Sequence, residues 1–184
     1  LRPFRNGSDL VRVPSGRWII DFGVYMTEAE AALYEEPFAY ILQHVKPSRT
    51  TNNRQAYRTR WWLHAEARPA LRRAVADCLR YLGTPRVAKH RVFVWLDCVI
   101  LPDSKVLAIA FDDDLRFGIL QSRAHTVWTM HTCGWHGIGN DVTYNPTTCF
   151  ETFPLPQPTP AKEQAIAGTA KELNDLRERW LNPP

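Results

Sequence analysis

The alternation of apolar and polar positions changes character along the chain, and each change marks an element. Trp18-Ile19-Ile20 is a short apolar run in a segment broken by Pro and Gly, and it predicts one strand. Thr27-Glu28-Ala29-Glu30 has the spacing of a capping box and opens a helix through Ala31, Leu33 and Tyr34. Pro37 interrupts it, and helical spacing resumes at Phe38, Ile41 and Leu42. Residues 46–60 are polar and basic and end in Trp61-Trp62. A further helix is expected from Pro69 through Leu71, Val75, Cys78 and Leu79, with Gly83 as its stop.

Beyond Pro85 the period shortens. Val92–Leu96 and Val106–Phe111 are rich in β-branched and aromatic residues and predict two strands, separated by Pro102-Asp103-Ser104-Lys105. Asp112-Asp113-Asp114 then caps a helix in which Ile119, Leu120 and Trp128 recur at helical spacing. Residues 131–149 have the Gly, Asn and Thr content of a loop. Pro154, Pro156, Pro158 and Pro160 form a stiff, extended spacer, followed by a helix over 161–180. On that helix Ile166, Thr169/Ala170, Leu173, Leu176 and Trp180 form a stripe suited to packing on another helix. The fold class is α/β in the mixed α+β sense: a sheet flanked by helices, with a long C-terminal helix after a Pro-rich spacer.

Composition narrows the classes. With 184 residues, 45% hydrophobic and 23% charged, the chain has the make-up of a folded globule able to bury a core. No apolar run is long enough to span a bilayer, and Leu1–Arg5 lacks the apolar stretch of a secretory signal. The start of the chain reads as a cut inside a longer protein. Four scattered cysteines fit a reduced, cytoplasmic setting.

Charge is unevenly spread. Residues 1–91 carry 16 Lys/Arg against 8 Asp/Glu, whereas residues 92–184 carry 7 against 11. Eighteen of the 23 basic residues are Arg, whose planar fork suits phosphates and guanine edges. A GC-rich coding sequence produces the same bias without any such role.

The candidate chemistry is sparse. His131-x-Cys133-x-x-His136 lacks the second ligand pair of a structural zinc site, so no metal ligands are assigned. Asp112-Asp113-Asp114 with His131 would suit a metal-dependent nuclease, but three acids before a helix serve as a cap. Trp61-Trp62 offers either stacking surface for bases or core packing. No nucleophile elbow, Gly-rich phosphate loop or dinucleotide motif occurs. The terminal Asn182-Pro183-Pro184 matches part of the catalytic motif of adenine-N6 methyltransferases, yet it follows a helix and reads as a helix stop. No catalytic or cofactor-binding residue is assigned; the chain reads as a recognition module.

Several blocks together resemble the target recognition domain of MmeI-type restriction–modification methyltransferases. They are Leu1-Arg2-Pro3-Phe4-x-Asn6-Gly7-x-Asp9-Leu10, Arg17–Gly23 with Glu28-Ala29, and Arg54-x-x-Tyr57-Arg58-x-x-Trp61-Trp62. Arg68-Pro69-x-Leu71-Arg72, Pro85-Arg86-Val87, Phe117-Gly118-Ile119-Leu120-x-Ser122-x-x-His125-x-x-Trp128, Tyr144, Cys149–Pro156 and Leu176–Pro183 follow in order. The resemblance implies a recognition domain over residues 1–156, of which 1–26 lead in from a methyltransferase core, with spacer and helix over 157–184.

It also implies a partner and a division of labour. The domain would read double-stranded DNA, while the methyltransferase core of the same parent chain would methylate adenine using S-adenosylmethionine, with endonuclease activity an open question. The fragment itself would hold no cofactor. Carried over by position, the base-reading residues are Arg86, Ser104, Lys105, Gly139, Asp141 and Thr143. Arg86 and Lys105 can donate to guanine, Asp141 can accept from cytosine, and Gly139 has no side chain to read with. Phosphate contacts are expected from Arg49, Arg54, Arg58, Arg60, Lys89, His90 and Arg91. The alternatives are a metal-dependent nuclease domain and a structural or partner-binding domain without DNA affinity of its own.

Overall fold

The computed structural model describes residues 1–138 and 141–181, which form two compact units. The first contains residues 1–3 and 18–73, and the second residues 4–17 and 74–184. No described helix is long and apolar enough to cross a membrane.

In the first unit, Arg2 and Pro3 at the start of strand β1 (Arg2–Arg5) pair antiparallel with β2 (Trp18–Ile19). Helix α1 (Glu28–Ala32) has the expected capping box: Thr27 Oγ1 accepts from the Glu30 amide, and Glu30 accepts from the Thr27 amide at 2.7 Å. The chain breaks at Leu33-Tyr34, ahead of Pro37, and restarts as α2 (Glu35–His44). Pro37 falls in the first turn of α2, where its missing N–H has no helical acceptor to lose. The basic stretch folds into two short helices, α3 (Lys46–Thr50) and α4 (Gln55–Thr59).

Phe22, Ala31, Ile41, Trp61 and Leu63 make the core of this unit. Trp61 is buried, with its indole N–H donating to Glu28, and Trp62 donates to the Met26 carbonyl at 2.8 Å, so the tandem tryptophans are packing residues. Asp21 is the polar anchor. Arg72 donates to both its oxygens at 2.8 and 2.9 Å, and Arg2 and His64 lie within 4 Å. Burial alone would push this carboxyl up, but the bidentate Arg72 contact and the Gly23 amide hold it below the ordinary carboxylate range.

The second unit is built on a three-stranded antiparallel sheet in the order β4-β3-β6, formed by Val94–Asp97, Arg80–Pro85 and Val106–Ile109. The helix expected from Pro69 to Gly83 stops early: α5 covers only Pro69–Ala74, and Gly83 lies inside β3. A Cβ on Gly83 would come within 2.7 Å of the Leu96 side chain, so glycine is required there for close approach and does not end a helix. Short β5 (Leu101–Pro102) pairs parallel with Phe4 and Arg5 of β1.

Asp113 caps α6 (Asp114–Gln121) by accepting from the Arg116 amide, as the acidic triplet predicts, and Asp114 pairs with Arg80 at 2.9 Å. The expected single helix is divided at Ser122, whose hydroxyl accepts from the His125 amide and caps α7 (Arg123–Thr132). The segment anticipated as loop holds a hairpin, β7 (Gly134–His136) with β8 (Asp141–Thr143), and a single π turn over Pro146–Phe150.

Helix α8 (Pro160–Leu181) packs on α6 through Ile166 and Ala170, which close over Gly118. The stripe is thus used at its N-terminal end, whereas Leu176 and Trp180 are exposed. Asn182-Pro183-Pro184 lie outside the described residues.

The core of the second unit gathers Leu82, Phe93, Phe117, Leu120 and Tyr144, and a fully buried His125 lies against Phe93 and Tyr144. With the ring neutral, His125 Nδ1–H donates to the Leu120 carbonyl at 2.8 Å and Nε2 accepts from the Tyr144 hydroxyl at 3.1 Å. Burial pushes the His125 pKa down to about 4, with Arg91 adding to the effect, and burial pushes the Tyr144 phenol up.

Two outcomes follow from this packing. Gly83→Ala should lower the stability of the second unit by about 1–3 kcal/mol in urea unfolding, and by less in a Leu96→Val background that makes room for the added methyl. His125 has a folded pKa below its unfolded value, so its contribution is complete above about pH 6.5 and is lost as the pH falls toward 4. Between pH 7 and pH 5 this amounts to about 2 kcal/mol, which His125→Gln should remove from the pH profile of unfolding.

Candidate nucleic-acid interface

One end of the β4-β3-β6 sheet brings together Arg86, Ser104, Lys105, Asp141 and Thr143 of the expected base-reading residues. Strand β3 ends at Pro85, paired with Val106 at the start of β6, and the Arg86 amide continues the ladder by donating to the Lys105 carbonyl at 2.7 Å. On its other side Arg86 accepts from the Tyr144 amide at 2.7 Å, Val87 bridges Thr143, and the Ala88 amide donates to the Val142 carbonyl at 3.1 Å. Residues 104–105, 86 and 141–143 therefore lie side by side on three neighbouring segments, although they are far apart in sequence. Gly139 lies outside the described residues.

Each segment is held locally. The turn before β6 is closed by the Val106 amide donating to the Asp103 carbonyl, and the Asp103 carboxylate accepts from both the amide and the hydroxyl of Ser104. The Asp103 amide itself donates to the Arg5 carbonyl. Gly7 packs against the Lys105 backbone, within a loop knotted by the buried Asp9 carboxylate, which accepts from the Asn6 and Ser15 amides. In the β7–β8 hairpin His136 stands opposite Asp141, Trp135 opposite Val142 and Gly134 opposite Thr143. Strand alternation sends Val142 inward and leaves Asp141 and Thr143 on the opposite, half-exposed face.

Arg86, Ser104 and Lys105 are exposed, as are Lys89 and His90. Arg91, expected to contact phosphate, is not available to one. It is only 9% exposed, and its guanidinium donates to Thr84 Oγ1 at 2.9 Å, to the Pro85 carbonyl and, at 3.5 Å, to the Val142 carbonyl. It also stacks 4.8 Å from the centre of the Tyr144 ring, and burial lowers its pKa to about 10, so it stays charged at neutral pH. No feature of Lys89-His90-Arg91 as a sequence separates this third residue from its exposed neighbours.

The other candidate phosphate ligands lie in the first unit. Arg54, Arg58 and Arg60 are exposed and Arg49 is half-buried. Arg49 and Arg54 place their guanidinium carbons 5.1 and 5.5 Å from the Tyr57 ring centre, and Arg58 donates to the Asn52 carbonyl. These contacts spread the basic side chains over α3 and α4.

Among the described residues, no three His, Cys, Asp or Glu side chains converge as a metal site. Of the groups weighed for metal chemistry, Asp113 and Asp114 are engaged at the α6 cap, and His131 Nδ1 contacts the Val127 carbonyl within α7. The sequence also gave no sign of His136 as the partner of Asp141, because the hairpin itself was not apparent.

Comparison with known proteins bears on the same region. Residues 88–157 match the family described as MmeI, target recognition domain. DNA methyltransferase A of Bacillus subtilis (strain 168) is 30% identical over 76 residues, covering 41% of this chain and 8% of that protein. The structure of the type IIL restriction-modification enzyme MmeI, solved in complex with DNA, matches 98% of this chain with a TM-score of 0.77 at 19% identity. The chain spans 24% of that enzyme, so it corresponds to a small part of either relative. Residues 88–157 are thus similar to the target recognition domain of MmeI, and the chain shares the fold of the matching part of that enzyme.

Proposed function

We propose that this chain is the double-stranded DNA recognition part of a restriction–modification enzyme, and that its parent is an S-adenosylmethionine-dependent adenine-N6 methyltransferase. The observation that carries the reading is the meeting of the Arg86, Ser104-Lys105 and Asp141–Thr143 segments at one sheet end. Guanine offers two acceptors in the major groove and cytosine one donor, which a mixed edge of Arg, Lys, Asp and hydroxyl groups can match. Lys89 and His90 beside that edge, and Arg49 on α3, Arg58 on α4 and Arg54 and Arg60 at the two ends of α4, suit phosphate contacts that set register.

In this reading residues 1–156 are the recognition domain, with 1–26 leading in from a methyltransferase core, and 157–184 form the spacer and C-terminal helix. The core would supply the methyl donor and the catalytic residues, in the cytoplasm, while this chain contributes sequence choice. The capping and pairing roles of Asp113 and Asp114 favour recognition over a nuclease reading.

Fluorescence anisotropy with a mixed-sequence duplex and a matching single strand tests this directly. Binding should prefer the duplex and weaken with salt, each phosphate contact adding about 0.9 to the log–log slope. Lys105→Ala should weaken binding to the preferred sequence by about tenfold or more while leaving other duplexes nearly unchanged. A uniform loss with a shallower slope would make Lys105 a phosphate holder. Absence of duplex binding at low salt would sink the autonomous module.

A further inference from the structure

We infer that Arg91 is a positioning residue for base readout, holding the Arg86 segment and the Asp141–Tyr144 segment in register from beneath; the inference rests on the DNA-reading role proposed above. Of the three nitrogens of its guanidinium, Nη1 serves the end of β3 through Thr84 and Pro85, and Nη2 reaches the Val142 carbonyl of β8. The Tyr144 ring lies against the same guanidinium. The residues presented to DNA follow immediately: Arg86 after Pro85, and Asp141 and Thr143 on either side of Val142.

The two segments share few other links. Their direct backbone contacts are Tyr144 N–H to the Arg86 carbonyl, Ala88 N–H to the Val142 carbonyl, and the single bridge between Val87 and Thr143. Val142 O thus accepts from both the Ala88 amide and Arg91. A planar fork can span acceptors on two segments at once, whereas a lysine ammonium is a point charge on a flexible stem. Burying a cation against neutral carbonyls, a hydroxyl and a ring is costly unless its hydrogen bonds are made, and an apolar residue in the same space would leave those acceptors one donor short. What an apolar residue cannot do is fix the relative placement of two strand ends. Thr84 completes the arrangement, since its hydroxyl accepts from Arg91 and donates to the Val92 carbonyl at 2.7 Å.

Amide hydrogen exchange on the whole chain tests the positioning without DNA. In Arg91→Met, the Ala88 and Tyr144 amides should exchange about tenfold faster or more, with the amides of the β3–β4 ladder unchanged. Arg91→Lys, which keeps the charge, should give a smaller change at the same two amides and serves if the methionine variant fails to fold. Uniform acceleration across the sheet, or none, would overturn the inference.

A second arm reads the consequence for DNA. Wild type and Arg91→Met, which removes the charge (or Arg91→Gln if the methionine variant fails to fold), are each used to select from duplexes with a randomised centre, and the selected duplexes are titrated with salt. Broader base preference at an unchanged salt slope is expected. Unchanged preference with the slope shallower by about 0.9 would identify a phosphate contact and overturn the proposal. If wild type selects no sequence, the DNA-reading role fails, and the exchange experiment still decides whether Arg91 holds the segments together.

Discussion

Strand β3 has neighbours on every side, and the second unit is arranged to satisfy it. Its backbone pairs with β4 on one edge and β6 on the other, and its residues from Tyr81 to Pro85 are buried. A strand covered on both faces requires helices or loops above and below and leaves little room for side chains where layers approach. At Gly83 the demand is met by omitting a side chain, so that Leu96 and Leu10 can close over the backbone. The strand then delivers Pro85 and Arg86 to the end of the sheet, where the DNA-facing residues are proposed to lie. The position of Arg86 is therefore inherited from the packing of β3.

The same economy governs the polar groups inside. His125, Tyr144, Thr84 and Arg91 are all buried, and each has at least one named partner: the Leu120 carbonyl, the histidine ring, the Val92 carbonyl and the strand-end carbonyls respectively. Buried polar groups of this kind cost stability unless satisfied, and they restrict the chain to arrangements that satisfy them. Tyr144 belongs to both sets, bonding His125 through its hydroxyl and lying against Arg91 with its ring. The hairpin that carries Asp141 and Thr143 is in this way fastened to α7 as well as to β3.

Much of this was legible in the sequence where local chemistry decides structure. The Thr27 capping box, the Asp113 cap, the apolar runs of β4 and β6 and the helix after the Pro-rich spacer all express short-range rules, and the fold class follows from them. Long-range packing overrode those rules at β3: Arg80-Tyr81-Leu82-Gly83 has no alternation because both faces are buried, and its glycine mimics a helix stop. The β7–β8 hairpin was hidden for the opposite reason, since Trp135 and His136 are exposed and show no inward period. The candidate site was legible through family resemblance and residue type, but its geometry was not. Whether an arginine faces solvent or the interior depends on segments about fifty residues away, as Arg91 and Val142 illustrate.

The alternation at the sheet end has a genetic consequence. Arg86 follows buried Pro85, Lys105 precedes buried Val106, and Thr143 stands between buried Val142 and Tyr144. Each outward residue is thus one codon away from a buried core residue, while Arg86 and Lys105 are exposed and Thr143 is half-exposed. Single-nucleotide changes at the outward codons can exchange charge, hydrogen-bonding sense or length without opening a cavity. At the neighbouring codons, by contrast, a change of side-chain volume disturbs the core packing.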